Sequence, residues 1–104
     1  MRIIEHNGYK IRAETDAGIY KATVIKDNKE LSSSRTTNTT NPKSVILDAI
    51  YTLLVKRREE IINEYLNSTR STRITKKKKE MLFNNDNDLN VLNDLYQYVK
   101  KEDL

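Results

Sequence analysis

The sequence predicts an α+β fold. An antiparallel β-meander of three to four strands covers about residues 2–38, a long α-helix about 42–66 and a C-terminal helix about 87–101. Three observations predict it. An Asn-Gly pair sits between two alternating apolar segments near the N-terminus. An apolar stripe then recurs at helical spacing through "NPKSVILDAIYTLLVKRREEIINEYL". A second stripe runs through "DLNVLNDLYQYVKK".

The first two strands are "RIIEH" and "YKIRAET", joined by Asn7-Gly8. Both turn residues tolerate the positive φ of a two-residue type I′ turn, and that loop length fixes the register. His6 then faces Tyr9, Glu5 faces Lys10, Ile4 faces Ile11 and Ile3 faces Arg12. Tyr9, Ile11, Ala13 and Thr15 share one face, while Lys10, Arg12, Glu14 and Asp16 share the other. Such alternation predicts one packed and one solvated face. "DAG" marks the next turn, and an even loop there puts Tyr20, Ala22 and Val24 of "IYKATVIK" on the packed face. An odd loop would put Lys21 there instead, so the even loop is preferred. "KDNK" turns again. "LSSSRTTN" is either a fourth strand, polar enough for an edge, or loop.

Asn41 can cap the long helix, and Pro42 suits its first turn. Leu47, Ile50, Leu54, Ile61 and Tyr65 fall near one stripe, which Ile46 and Leu53 widen. Between residues 45 and 55 the helix is apolar nearly all round, so its first half needs cover on two sides. The sheet supplies one. The C-terminal helix, or a second copy in a homodimer, supplies the other. In that last helix Leu89, Leu92, Leu95 or Tyr96, and Val99 form the stripe. Asp86 or Asp88 can cap it, and Lys100 and Lys101 suit the negative end of its dipole.

A chain of 104 residues fits one domain, 1–104. With 37% hydrophobic and 33% charged residues it is too polar for a membrane protein and too apolar for full disorder. The start, "MRIIEHNGYK", has no apolar h-region, so no signal peptide is expected and the location predicted is the cytoplasm, a host's if the gene is phage-borne. There is no cysteine, which removes disulfides and thiolate metal sites. Frequent Asn, Lys, Ile and Tyr fit AT-rich coding sequence, as in phages and mobile elements.

Charge is unevenly spread. Residues 67–83, a basic connector, carry six bases against one acid. Residues 84–104, an acidic amphipathic helix, carry five acids against two bases. Arg70, Arg73, Lys76, Lys77, Lys78 and Lys79 could neutralise phosphates, with Thr69, Ser71 and Thr72 donating hydrogen bonds. The competing reading is a solvated linker or the exposed face of a short helix. Lys56, Arg57 and Arg58 are a second basic group, mid-helix, where Glu60 and Glu64 allow local pairing.

Nothing else points to chemistry. "DNDLN" imitates the start of an EF-hand loop, but Val91 stands at the glycine position and Gln97 at that of the bidentate glutamate. His6 is the lone histidine and reads as structural or solvent-facing. Gly8 and Gly18 are turn residues, so no phosphate loop exists. An enzyme is not expected, nor a cofactor or metal.

The order of elements in "GIYKATVI…NPKSVILDAIYTLL" is similar to that of the HicB-type antitoxin domain, a short antiparallel sheet followed by a helix. It also resembles the ββββα unit of whirly-type single-strand DNA binders. Each resemblance covers at most residues 1–66. The first implies an antitoxin-like regulator, the second nucleic-acid binding. The expectation from the residues is a small non-catalytic binding protein whose basic segment contacts nucleic acid, a nucleoprotein or a protein complex, away from membranes. The alternatives are an inhibitor of a host defence nuclease, anti-CRISPR-like, and the antitoxin-like regulator.

Overall fold

The computed structural model describes residues 1–37 and 41–102. Four strands, β1 (Arg2–His6), β2 (Tyr9–Asp16), β3 (Ile19–Lys26) and β4 (Lys29–Thr36), form one antiparallel sheet in the order of the chain. Three helices follow: α1 (Pro42–Thr69), α2 (Lys76–Asn84) and α3 (Asn87–Lys101). The α+β class is as predicted, and the polar segment is an edge strand. Asn38, the predicted end of that strand, lies outside the described residues.

Each hairpin closes with two residues at positive φ: Asn7 and Gly8, Ala17 and Gly18, Asp27 and Asn28. This is the twist-matched turn of tight hairpins. The first gives the predicted register, from Ile3 opposite Arg12 to His6 opposite Tyr9. The second is the even loop, with Thr15 opposite Tyr20. Ala22 and Val24 are therefore buried, beside Tyr9, Ile11 and Ala13 of β2. A bulge between Val24 and Ile25 interrupts the pairing with β4.

α1 and α3 both serve the packed face. Val45, Ile46, Ala49, Ile50, Leu53 and Leu54 of α1 join the sheet residues in one buried cluster, which Leu89, Leu92, Leu95 and Val99 of α3 complete. The second cover of α1 is thus the C-terminal helix. Tyr51, on the far side of α1, stays 51% exposed. In the second half of α1 only Ile61 is buried. Ser32 of β4 donates its hydroxyl to the carbonyl of Ala49 at 2.7 Å, which ties the edge strand to the helix.

Polar contacts hold α3 along its length. At its start, Asp86 caps the helix by accepting from the Leu89 N–H at 3.0 Å. Midway, Asp94 accepts from the Asn7 amide at 2.6 Å and lies 2.9 Å from His6 Nε2. These two partners hold the Asp94 carboxyl below the usual carboxylate range. The His6 ring stacks on Tyr98 with centroids 4.1 Å apart. His6 is therefore structural. At the end of α3, Lys43 Nζ donates to the carbonyl of Lys100 at 2.9 Å.

Candidate nucleic-acid interface

A helix of 28 residues is about 42 Å long at 1.5 Å per residue. It accounts for most of the 49 Å long axis of a molecule only 25 and 23 Å across the other axes. The sheet packs on its first half. The far end of α1, the turn after it and the start of α2 therefore form one pole of the molecule.

α1 ends three residues later than the predicted boundary near 66. Ser68 and Thr69 extend it, their hydroxyls donating to the Tyr65 carbonyl at 3.2 and 2.7 Å. Arg70 stops it in the left-handed conformation, φ 53°, and the Ser71 N–H returns to the Leu66 carbonyl at 3.1 Å. Thr75 then caps α2, its hydroxyl accepting from the Lys78 N–H at 3.1 Å. The four lysines fill the first turn of that helix. Leu82 and Phe83, one turn on, pack against the buried cluster and dock α2 on the body.

The pole gathers all six cations predicted from the connector. Arg70, Arg73, Lys76 and Lys77 are exposed, as are Ser71, Thr72 and Thr75. Lys78 is half-buried, its ammonium 5.6 Å from the centroid of the Tyr65 ring. Lys79 is also half-buried. Among the described residues none of the six has an ion-pair partner. The Thr69 hydroxyl is already committed inside α1, which leaves Ser71 and Thr72 as the free donors of the expected three.

The mid-helix group lies elsewhere. Lys56 is exposed but about 20 Å back along α1, thirteen residues before Thr69. There it lines a groove with Tyr9, Lys26, Leu53 and Asp88. Arg58 is half-buried on the same helix. Arg57 is spent on structure. Its Nη2 and Nε donate to the two oxygens of Asp86 at 2.8 and 3.1 Å, and its Nη1 to Glu60 at 3.3 Å. Glu64 and Asp88 stand at 3.7 and 3.8 Å. The Asp86 hydrogen bond is the main cause that raises the guanidinium pKa above its ordinary value. Local pairing with Glu60 and Glu64 was legible from spacing. The bidentate partner, 29 residues on, carried no sequence signal.

The contrast between two helix starts is informative. α3 follows the dipole rule, with Asp86 and Asp88 at its positive end and Lys100 and Lys101 at its negative end. α2 inverts it: four lysines and no acid stand in the first turn. Like charge at a helix terminus costs about 0.3–1 kcal/mol per group at low ionic strength. The result is a small surface of concentrated positive charge, with hydroxyls and no carboxylate interleaved between Arg70 and Lys79.

Among the described residues no group of three or more His, Cys, Asp or Glu is placed to hold a metal, and no helix is long and apolar enough to cross a membrane. No protein-family model, no curated protein and no solved structure matches the chain. The resemblances noted above rest on element order and carry no residue role to this protein.

Proposed function

We propose that this is a small non-catalytic binding protein, acting in the cytoplasm, that contacts nucleic acid through the basic pole formed by Arg70, Arg73 and the lysines of α2. One observation carries the reading: the inverted charge at the start of α2, in a chain that obeys the dipole rule at both ends of α3. Stability alone would place acids at that turn. A polyanion would use the same charge, releasing counterions as phosphates are neutralised. Lysine and arginine contacts of this kind go to the backbone, so the binding is independent of base sequence.

The test is binding of a mixed oligonucleotide pool at low and at physiological salt, by the parent and by a variant with Arg70, Arg73, Lys76 and Lys77 all changed to Gln. The expected result is salt-sensitive binding by the parent and its loss in the variant, with the fold intact and melting equal to or slightly above the parent's, because two like charges leave the start of α2. No parent binding at low salt ends the reading. If a protein partner then co-purifies and survives nuclease treatment, the inhibitor or antitoxin alternatives take its place.

A further inference from the structure

The shape and chemistry of the pole also select the form of nucleic acid. Resting on the reading just given, we infer that its partner is the phosphate backbone of a duplex rather than a single strand. Single-strand binders combine a positive groove that tracks the backbone with aromatic side chains on which successive bases stack. The pole offers neither. Between Arg70 and Lys79 there is no aromatic residue. The nearest ring on α1, Tyr65, lies under Lys78. Phe83 packs toward the buried cluster. Tyr51, the one exposed large aromatic among the described residues, sits about 28 Å back along α1, nineteen residues before Arg70.

The electrostatic track also stops short. A strand leaving the pole along the α1–α2 face would meet Glu64 and Glu60, both exposed, and then Asp86 and Asp88. That face repels phosphate, so the favourable surface is confined to the tip. A duplex needs only the tip, because its phosphates line the groove walls and its bases stay stacked without help.

The geometry of a helix start suits this approach. Cα–Cβ bonds tilt toward the N-terminus of a helix, so first-turn side chains lean past its end as a crown around the axis. Four adjacent lysines cannot meet one flat surface from the side. End-on, Lys76 and Lys77 project with Arg70 and Arg73 of the preceding turn. A helix with its side chains is about 10–12 Å wide, and the major groove of B-form DNA is about 12 Å across. The crown can then reach phosphates on both walls. Lys78, drawn back onto Tyr65, contributes least.

Four exposed cations on about four phosphates give a log–log salt slope of about −3.6 on a B-form duplex, a loss of about 150-fold in affinity between about 50 and 200 mM salt. Fluorescence anisotropy tests this with a short mixed-sequence DNA duplex, the same duplex in RNA, and one of the DNA strands alone. The inference expects duplex binding about tenfold tighter than single-strand binding at equal length and equal salt. It also expects a slope near zero for the variant with Arg70, Arg73, Lys76 and Lys77 changed to Gln. The DNA duplex should bind tighter than the RNA duplex, whose deep, narrow A-form major groove does not admit the crown; tighter binding of the RNA duplex overturns the groove fit. Single-strand binding equal to or tighter than both duplexes overturns this inference and leaves the nucleic-acid reading standing. No binding to any of the three overturns both.

Discussion

Replacing Asp86 with alanine removes two supports of α3 at once. The carboxylate caps the helix through the Leu89 N–H at 3.0 Å, and it receives the Arg57 fork at 2.8 and 3.1 Å. Loss of an N-cap costs about 1 kcal/mol. Hydrogen bonds to charged groups contribute about 1.5–3 kcal/mol each when well covered. Here the side chains of Arg57 and Asp86 are 24% and 16% exposed, and Glu60 remains to Arg57, so the pair is discounted to about 1–2 kcal/mol. Asp86→Ala should therefore cost about 2–3 kcal/mol, and Asp86→Asn, which keeps the cap, about 1–2 kcal/mol. Urea unfolding followed by far-UV circular dichroism measures both. A double-mutant cycle of Asp86→Asn with Arg57→Gln should return a coupling of about 1–2 kcal/mol. The pH dependence follows from the carboxyl, which the Arg57 hydrogen bond and then the Leu89 N–H hold below its ordinary value. A depressed folded pKa contributes stability above the unfolded value of about 3.9 and loses it as pH falls through the lower folded value. The penalty of Asp86→Asn should thus vanish in that acid window. A cost for Asp86→Ala below about 0.5 kcal/mol, or a coupling of zero, would refute the role given to the Arg57–Asp86 pair.

Ile50 is fully buried where α1 meets the sheet and α3, so Ile50→Ala should cost about 2–5 kcal/mol in denaturant unfolding; a loss below about 1 kcal/mol would place its packing elsewhere. Gly8 stands at φ 82° in open space, so Gly8→Val should lower stability by about 1–2 kcal/mol through the backbone alone, and an unchanged melting curve would contradict the turn. Arg70→Gly relieves a left-handed non-glycine residue and should raise stability by up to about 1 kcal/mol while weakening oligonucleotide binding; a drop in stability would mean the Arg70 side chain packs. Deleting residues 84–104 uncovers α1 and should give an aggregating or unfolded chain, whereas a soluble monomer with an unchanged melt would count against α3 as its cover.

The legible part of this fold is the part set by local chemistry. Asn7-Gly8 defines a two-residue loop, and that loop fixes every pair from Ile3 to Arg12. Keeping Lys21 out of the core was enough to choose the loop at Ala17 and Gly18. The stripes of α1 and α3 were legible because apolar residues recur at the helical period. The end of α1 was not, because Ser68 and Thr69 are poor helix residues that extend it by bonding back to Tyr65, and neither glycine nor proline marks Arg70 as the stop. α2 was hidden for another reason. Four identical lysines have no periodicity, and only the Thr75 cap and the pair Leu82-Phe83 signal a docked turn. The candidate site was legible as composition, since six cations stand in one segment. Its separation from Arg57 was not, since Asp86 reaches that guanidinium only through the tertiary fold. The contact of His6 with Asp94, 88 residues apart, is of the same kind.

The most direct test is a nuclear magnetic resonance titration of the isotope-labelled chain with a short DNA duplex at low salt, following every backbone amide. The account predicts that shift changes concentrate on residues 70–79, with Arg12, Lys21 and Arg35 on the outer face of the sheet unmoved. Changes centred on that face or on α3, or none at a saturating duplex concentration, would contradict it.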